Sequence, residues 1–489
     1  MWRIIALGLG LFGILAAVTL AVQTAGESKD LSLGILLAVM CLWWMFEVIP
    51  LAITALLPMA LFPALGLISL SDAAAAYGHD VVFLFLGGFV LSAALQKWNL
   101  HTRMAIVILS KVPPKPDYVV GAFMAITAFL SMWVSNTATA MMMLPMALSV
   151  ISLLESQSNR ESKILQRDKG HEEAGPTSAP MAQALLFGIA LSASIGGMAT
   201  LIGSPPNAIL AAFLRDQRQI DLNFAQWLGF GLPIALILLP IVWWLLCRVF
   251  FSLRAEEPGL KTALEEMKGR AKALGPMKRE EWMVAGIFTL AAIGWIVGGF
   301  IEVPGLRWSD SMVALLAALL LFVVPVSLRA PRFLMDKTWT KKVNWEVLLL
   351  FGGGLCLATA LSSSPYLHQL AELLLRFFGG RPELFLLASL FVVVVFSEIA
   401  SNTATVAAFL PIVLALTSRM DLPVVPTCVA LTLAGSLGFM LPVGTPPNAI
   451  VFSSGHLQMR TMIRVGLLVD VVGITVIFGA ALSWFPWYW

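Results

Sequence analysis

Charge is what this sequence has least of. Only 12% of its residues are Asp, Glu, Lys or Arg, where a soluble domain carries roughly 25%, so the chain lacks the polar surface to meet water on every side. Cysteine is scarce as well. Cys41, Cys247, Cys356 and Cys428 all lie in apolar stretches without metal-ligand spacing, which argues against a disulfide framework and a thiolate metal centre. Histidine numbers five. His171 is followed by Glu-Glu-Ala-Gly, so there is no HExxH, and neither paired intramembrane aspartates nor a Ser–His pair of plausible depth is present. An intramembrane enzyme would need such a dyad. The net charge of +3 comes from basic residues that flank apolar runs, and gives no reason to expect a nucleic-acid partner.

Apolar residues are abundant, at 59%, with a mean hydropathy of +0.88. They fall in long runs separated by charged loops, the pattern of an all-α polytopic membrane protein. Apolar stretches predict helices near 4–22, 32–49, 51–68, 81–97, 183–214, 228–253, 282–302, 311–327, 347–363, 424–451 and 464–486. The first follows Arg3 but is too long for a signal-peptide core and lacks a clear cleavage site, so it reads as a retained helix. The polar segment 155–182 reads as a solvated loop.

Two more apolar regions, 118–154 and 382–417, are too long for one crossing of about 30 Å and carry a polar cluster near the middle. A helical hairpin that enters the membrane and returns fits that pattern, provided its tip is buried in protein or lines a cavity. With eleven crossing helices, both hairpins re-entrant and a cytoplasmic N-terminus, only seven of the 31 basic residues fall outside: Lys29, Arg215, Arg218, Arg307, Arg376, Arg381 and Arg419. Basic loops are retained in the cytoplasm, which supports this orientation and a location in a bacterial inner membrane.

The most informative feature is an internal repeat. DVVFLFLGG from Asp80 matches EVLLLFGGG from Glu346, an offset of 266 that also separates Ser131 from Ser397 and SNTAT at 135–139 from SNTAT at 401–405. GSPPN at 203–207 matches GTPPN at 444–448 with an offset of 241, and a single polar insertion after the first hairpin accounts for the difference. The chain therefore divides into a first helix and outer loop (1–31), a first repeat (32–253), a cytoplasmic linker (254–281) and a second repeat (282–489). Counting crossings makes the two repeats inverted, a plan that places a binding site near the midplane.

The motifs suit that site. Ser, Asn and Thr at a hairpin tip both donate and accept hydrogen bonds. Gly203 and Gly444 allow sharp turns, and the Pro pairs 205–206 and 446–447 interrupt regular helix, so 183–214 and 424–451 should be broken helices. Exposed N–H groups at such breaks favour a carboxylate, and exposed carbonyls favour a hard cation. A packing-only role is common for one polar patch between membrane helices, but two copies of both motifs in register argue against it. Glu398 stands where the first half has Met132, and either a cation-holding or a structural role fits it. No Lys, Arg or His lies in 120–154, in 382–417 or in the GSPPN and GTPPN stretches. An anionic substrate there needs backbone dipoles and co-bound cations, which favours symport over exchange.

With SNTAT twice, GSPPN, GTPPN and EVIPLAITALLP at 47–58, the sequence from about residue 32 onward resembles the divalent anion/sodium symporter family of sodium–dicarboxylate, sodium–citrate and sodium–sulfate carriers. The resemblance implies eleven helices and two re-entrant hairpins, a homodimer in the lipid bilayer, and an elevator movement that imports C4-dicarboxylates such as succinate, malate or fumarate with sodium ions. By position it implies one sodium site from Ser131, Ser135, Asn136 and Gly203, and a second from Ser397, Ala400, Asn402 and Gly444. Substrate carboxylates would meet Asn136, Thr137 and Ser204 from one half, and Asn402, Thr403, Thr445 and Pro446 from the other. A carrier of citrate, sulfate or another oxyanion, or a dicarboxylate exchanger not coupled to sodium, is the alternative.

Overall fold

The computed structural model describes residues 2–23, 29–168, 179–253, 256–257, 259–300, 308–327, 332–362, 372–373, 376–378, 380–417 and 420–489. They are almost wholly helical, and eight helices are long and apolar enough to cross a membrane, with further apolar helices shorter than that. In chain order the helices are α1 (Trp2–Gln23), α2 (Lys29–Phe46), α3 (Leu51–Ala55), α4 (Leu57–Ala64), α5 (Leu70–Tyr77), α6 (Asp80–Lys97), α7 (Leu100–Leu109), α8 (Pro116–Ser131), α9 (Asn136–Asp168), α10 (Ala179–Met198) and α11 (Pro205–Arg218). There follow α12 (Phe224–Trp244), α13 (Leu260–Ala273), α14 (Arg279–Gly298), α15 (Asp310–Val323), α16 (Trp345–Ser362), α17 (Pro382–Ile399), α18 (Asn402–Thr417), α19 (Val424–Ala434), α20 (Pro446–Phe452), α21 (Met459–Leu482) and α22 (Trp484–Tyr488). A small antiparallel pair, β1 (Pro325–Ser327) and β2 (Arg332–Phe333), follows α15.

Both long apolar regions form hairpins. α8 and α9 turn at 132–135, and α17 and α18 turn at 400–401. Both predicted broken helices are broken: α10 and α11 are separated by 199–204, and α19 and α20 by 435–445. Proline accounts for the restart in each case, since Pro205 and Pro446 occupy first helical positions, where a missing N–H costs nothing.

Three local expectations needed revision. The stretch 51–68 is two short helices, α3 and α4, because Pro58 cannot donate the bond that would carry one helix through residues 55–58. The polar segment from 155 stays helical to Asp168 as the end of α9; its Glu, Gln, Lys, Arg and Leu residues are good helix formers without any apolar face to demand. Residues 169–178 of that segment lie outside the described residues. The linker contains α13, which packs on α7 and α9.

In lipid there is little hydrophobic drive between helices, so close packing rests on small residues. A Cβ on Gly87 of α6 would come within 2.6 Å of the Ala314 backbone on α15. One on Gly196 of α10 would come within 2.2 Å of the Ala128 carbonyl on α8. α1 is likewise docked on α2, with Ser32 donating to the Ala17 carbonyl at 3.1 Å and Trp43 to that of Ala6 at 3.1 Å.

The halves are interlocked at their centre. α11, the second arm of the first broken helix, packs on α18 and α19 of the second half. α20, its counterpart, packs on α9 and α10 of the first. Each short helix packs on a hairpin arm and a broken-helix arm of the opposite half.

Candidate functional site

Each hairpin tip is closed by the same serine–asparagine contact. Ser131 donates to Asn136 Oδ1 at 2.6 Å in the first, and the Ser397 hydroxyl lies 2.7 Å from Asn402 Oδ1 in the second. Both serines are fully buried. The bond fixes the asparagine amide at the start of its helix, where backbone N–H groups have no partner within the helix.

The helix breaks are tied in matching ways. Asn207 Nδ2 donates to the carbonyls of Gly197 at 2.9 Å and Thr200 at 2.7 Å. Asn448 Nδ2 donates to those of Gly438 at 3.1 Å and Leu441 at 3.0 Å. The glycines permit this tight loop. A Cβ on Gly203 would lie 2.7 Å from the Gly197 carbonyl oxygen, and one on Gly444 would lie 2.9 Å from that of Gly438. Gly438 has φ +109°, which other residues rarely adopt.

The halves differ behind the break. In the second, Glu398 accepts from the N–H groups of Met440 (2.9 Å) and Leu441 (3.0 Å), while Asp470 accepts from Gly438 (3.2 Å) and Phe439 (3.4 Å). Both carboxyl groups are buried. Four successive N–H groups at 438–441 are therefore satisfied by two acidic side chains, so Glu398 has a structural role. In the first half Met132 replaces it, and the Thr200 hydroxyl instead donates to the Met132 carbonyl. The Ser204/Thr445 difference also shows: Thr445 Oγ1 accepts from Asn448 N–H at 3.3 Å, and the Ser204 side chain makes no capping bond.

Tips and breaks converge on one cavity of about 420 Å³. All seven residues expected to meet substrate line it: Asn136, Thr137, Ser204, Asn402, Thr403, Thr445 and Pro446. Of the residues expected to hold sodium, Ser135, Asn136, Gly203, Asn402 and Gly444 line it too. Ser131, Ser397 and Ala400 do not; they are buried, the two serines bonded to the lining asparagines. Lysine, arginine and histidine are absent from this lining.

Several wall residues have no chemical role that the repeat makes visible. Phe85, Phe89 and Val443 contribute apolar surface, and Glu47, Asn344 and Glu346 stand on the exposed side. Glu346 and Glu47 begin the EVLLL and EVIPL stretches, so the sequence held both without showing that they share a cavity. Asn207 and Asn448 end the GSPPN and GTPPN motifs, whose spacing alone gives them no role.

Chemically the site offers amide and hydroxyl groups from both halves, helix starts at Asn136, Pro205 and Asn402, and backbone carbonyls at the breaks. It can orient a small polar molecule at both ends, and its own side chains supply no positive charge to hold an anion.

Comparison with known proteins agrees with this architecture. Residues 9–489 match the family described as the sodium:sulfate symporter transmembrane region. The chain is 35% identical over 446 residues to the sodium-dependent dicarboxylate transporter SdcS of Staphylococcus saprophyticus, covering 89% of this chain and 82% of that one. It is 35% identical over 445 residues to SdcS of Staphylococcus aureus, with the same coverage. Among solved structures, the YdaH transporter of Alcanivorax borkumensis shares the fold with a TM-score of 0.50 at 11% identity, over 86% of this chain and 88% of that one. A multi-pass helical chain with a duplicated central site, matched from residue 9 to its end, belongs to the sodium:sulfate symporter family of membrane transporters.

Proposed function

We propose that this transporter is a sodium-coupled symporter that imports C4-dicarboxylates such as succinate, malate or fumarate. One observation carries the reading: two copies of the same polar set, SNT and S/T-P-P, face each other across a single cavity that no basic side chain lines. A substrate with a carboxylate at each end matches a site with duplicate polar groups at each end. A cavity of about 420 Å³ is also larger than a tetrahedral oxyanion alone would fill. The relatives named for dicarboxylates and for sodium support the same choice.

Sodium serves as substrate and as part of the anion site. One ion is held by Ser131, Ser135, Asn136 and Gly203, the other by Ser397, Ala400, Asn402 and Gly444. Two unit charges of opposite sign about 4 Å apart attract by about 4 kcal/mol at an effective dielectric of 20. That is enough to make dicarboxylate binding depend on the cations, and by linkage each ligand strengthens the other equally. Glu47 and Glu346 at the open side raise the local cation concentration and repel an unaccompanied anion.

With the N-terminus cytoplasmic, as the basic-residue count favours, the start of α16 and Glu346 lie on the inner side, so the cavity is open inward. The repeats 32–253 and 282–489 are then inverted about the site. Transport moves the hairpins and broken helices as one body against the remaining helices, in a homodimer. The test is uptake into proteoliposomes. Labelled succinate should accumulate under an inward sodium gradient and cease to do so when choline replaces sodium. Sodium-independent succinate uptake would favour exchange, and sodium-driven sulfate uptake with no succinate uptake would favour the oxyanion reading.

A further inference from the structure

We propose that Asn207 and Asn448 are further cation ligands, each turning its side-chain carbonyl oxygen toward one of the two sodium sites; the inference rests on the symport reading above. Both side chains are fully buried. Each Nδ2 is used twice, on the carbonyls ten and seven residues before it. That pair of bonds fixes which end of the amide is nitrogen, since a flipped amide would set Oδ1 against two carbonyl oxygens. The Oδ1 atom of each asparagine is left buried without a hydrogen-bond partner.

A buried acceptor with nothing to accept from is rare, and a specific case calls for a cause. Here the same case occurs twice. Only nine buried side-chain polar atoms lack a partner among the described residues, and Asn207 Oδ1 and Asn448 Oδ1 are two of them, at positions related by the 241-residue offset. Thr139 Oγ1 and Thr405 Oγ1 form a second equivalent pair among the nine. A hydroxyl, however, can rotate to donate to a carbonyl of its own helix, whereas an amide oxygen fixed by its Nδ2 bonds has no such freedom.

The chemistry identifies the partner. An amide oxygen accepts from a donor or binds a hard cation, and oxygen atoms of carbonyl and amide groups are the ligands such cations take. Donation by Nδ2 to two carbonyls polarises the amide and makes its oxygen a better ligand. Position agrees. The Gly197 carbonyl that receives Asn207 belongs to the residue whose Cβ position lies 2.5 Å from Asn136 Oδ1, and it is also the atom nearest the Cβ position of Gly203. Asn207 is therefore one backbone group away from both Asn136 and Gly203. Asn448 is one backbone group, Gly438, away from Gly444, and the Cβ position of Gly438 lies 3.0 Å from the carbonyl oxygen of Ser397, a residue of the second sodium set.

Sodium binding without substrate separates the outcomes. The full-length protein, purified in detergent, is titrated with sodium chloride against choline chloride at constant ionic strength, and its melting temperature is followed. Asn136→Ala serves as the control expected to lose the sodium response. Asn207→Leu and Asn448→Leu should each raise half-saturating sodium by about tenfold or more, the size of effect that loss of one metal-supporting group produces. Asn207→Asp and Asn448→Asp keep the free oxygen and add charge, but set the second carboxylate oxygen against the two carbonyls that Nδ2 serves, so their melting in choline is measured first. They should move half-saturation by at least about threefold and change the preference for sodium over lithium. Should the leucine and aspartate variants fail to fold, Asn207→Ser and Asn448→Ser decide, since they remove the amide oxygen and keep a donor for one carbonyl. Half-saturating sodium raised by about tenfold supports the inference, and an unchanged value overturns it. Aspartate variants that melt like wild type in choline, with sodium half-saturation and lithium preference unchanged, would show that the oxygens face only a buried water. A wild-type protein that responds equally to sodium and choline would remove the symport reading itself, and this inference with it.

Discussion

Gly197 exists where it does because Asn136 fills the space its side chain would take. A Cβ at Gly197 would lie 2.5 Å from Asn136 Oδ1 and 2.9 Å from Nδ2. The obstacle is a side chain, which can move, and not backbone. Gly197→Ala should therefore leave the protein folded and in the membrane while displacing the Asn136 amide from the cavity. Uptake should fall by at least about tenfold, as expected when a positioned polar group is lost near a bound ion. Normal uptake with normal expression would show that the amide position is unimportant.

Asn136 and Asn402 should be individually indispensable. Each is held by a buried serine, and each lines the cavity. Asn136→Ala and Asn402→Ala are expected to abolish sodium-driven uptake at wild-type membrane levels. Ser131→Ala and Ser397→Ala, which release the asparagines without removing them, should have smaller effects on maximal rate and raise half-saturating sodium. Wild-type-like transport by either asparagine variant would refute the site assignment for that half.

The acidic pair Glu398 and Asp470 holds four consecutive N–H groups of the second break. Replacing either by alanine strands buried donors, at about 1–3 kcal/mol for each unmade bond. Glu398→Gln and Asp470→Asn keep an acceptor oxygen and should be much milder. Thermal melting in detergent separates the two cases; equal losses for amide and alanine variants would argue that charge matters more than the bonds.

On the face formed by α7, α13 and α14, Arg103 joins three parts of the chain. Its Nε donates to Glu281 at 2.9 Å, and its terminal nitrogens donate to the carbonyls of Gly275 (2.7 Å) and Leu274 (3.0 Å). Both charged side chains are buried. Removing one partner leaves a buried charge, which costs about 3–5 kcal/mol, so Arg103→Ala should lower the melting temperature sharply. Paired replacement by Arg103→Met and Glu281→Met should recover most of the loss. A double variant as unstable as the single one would place the stability in the carbonyl bonds instead.

Much of this was legible because duplication leaves identical residues at fixed spacing. Both hairpins were found from polar residues in the middle of overlong apolar runs, and both breaks from paired prolines beside glycine. Within a repeat, local chemistry decides these features. What escaped depends on long-range packing. Asp470 lies 32 and 31 residues from the two N–H groups it accepts from and has no counterpart motif. Glu47 just after α2, Phe85 in α6 and Asn344 just before α16 meet only when those three helices converge. Leu56 and Pro58 divide a stretch whose hydropathy alone looks continuous, and α9 runs on to Asp168 because helix-forming residues need no apolar stripe once a long helix is under way.

The exchange of short helices between halves also sets an order of assembly. α11 has 14 residues, about 21 Å at 1.5 Å per residue, which is short of a full crossing. Its neighbours α18 and α19, including the Leu414 carbonyl that accepts from Arg218, are synthesised much later. At about 5–20 residues per second, translation from Arg218 to Asn402 takes roughly 10–40 s. Throughout that interval the newborn first half carries an unhoused helix beside an unfilled groove. A chain cut between the repeats would thus be an incomplete membrane fragment exposed to quality-control proteolysis, and could not act as half a carrier.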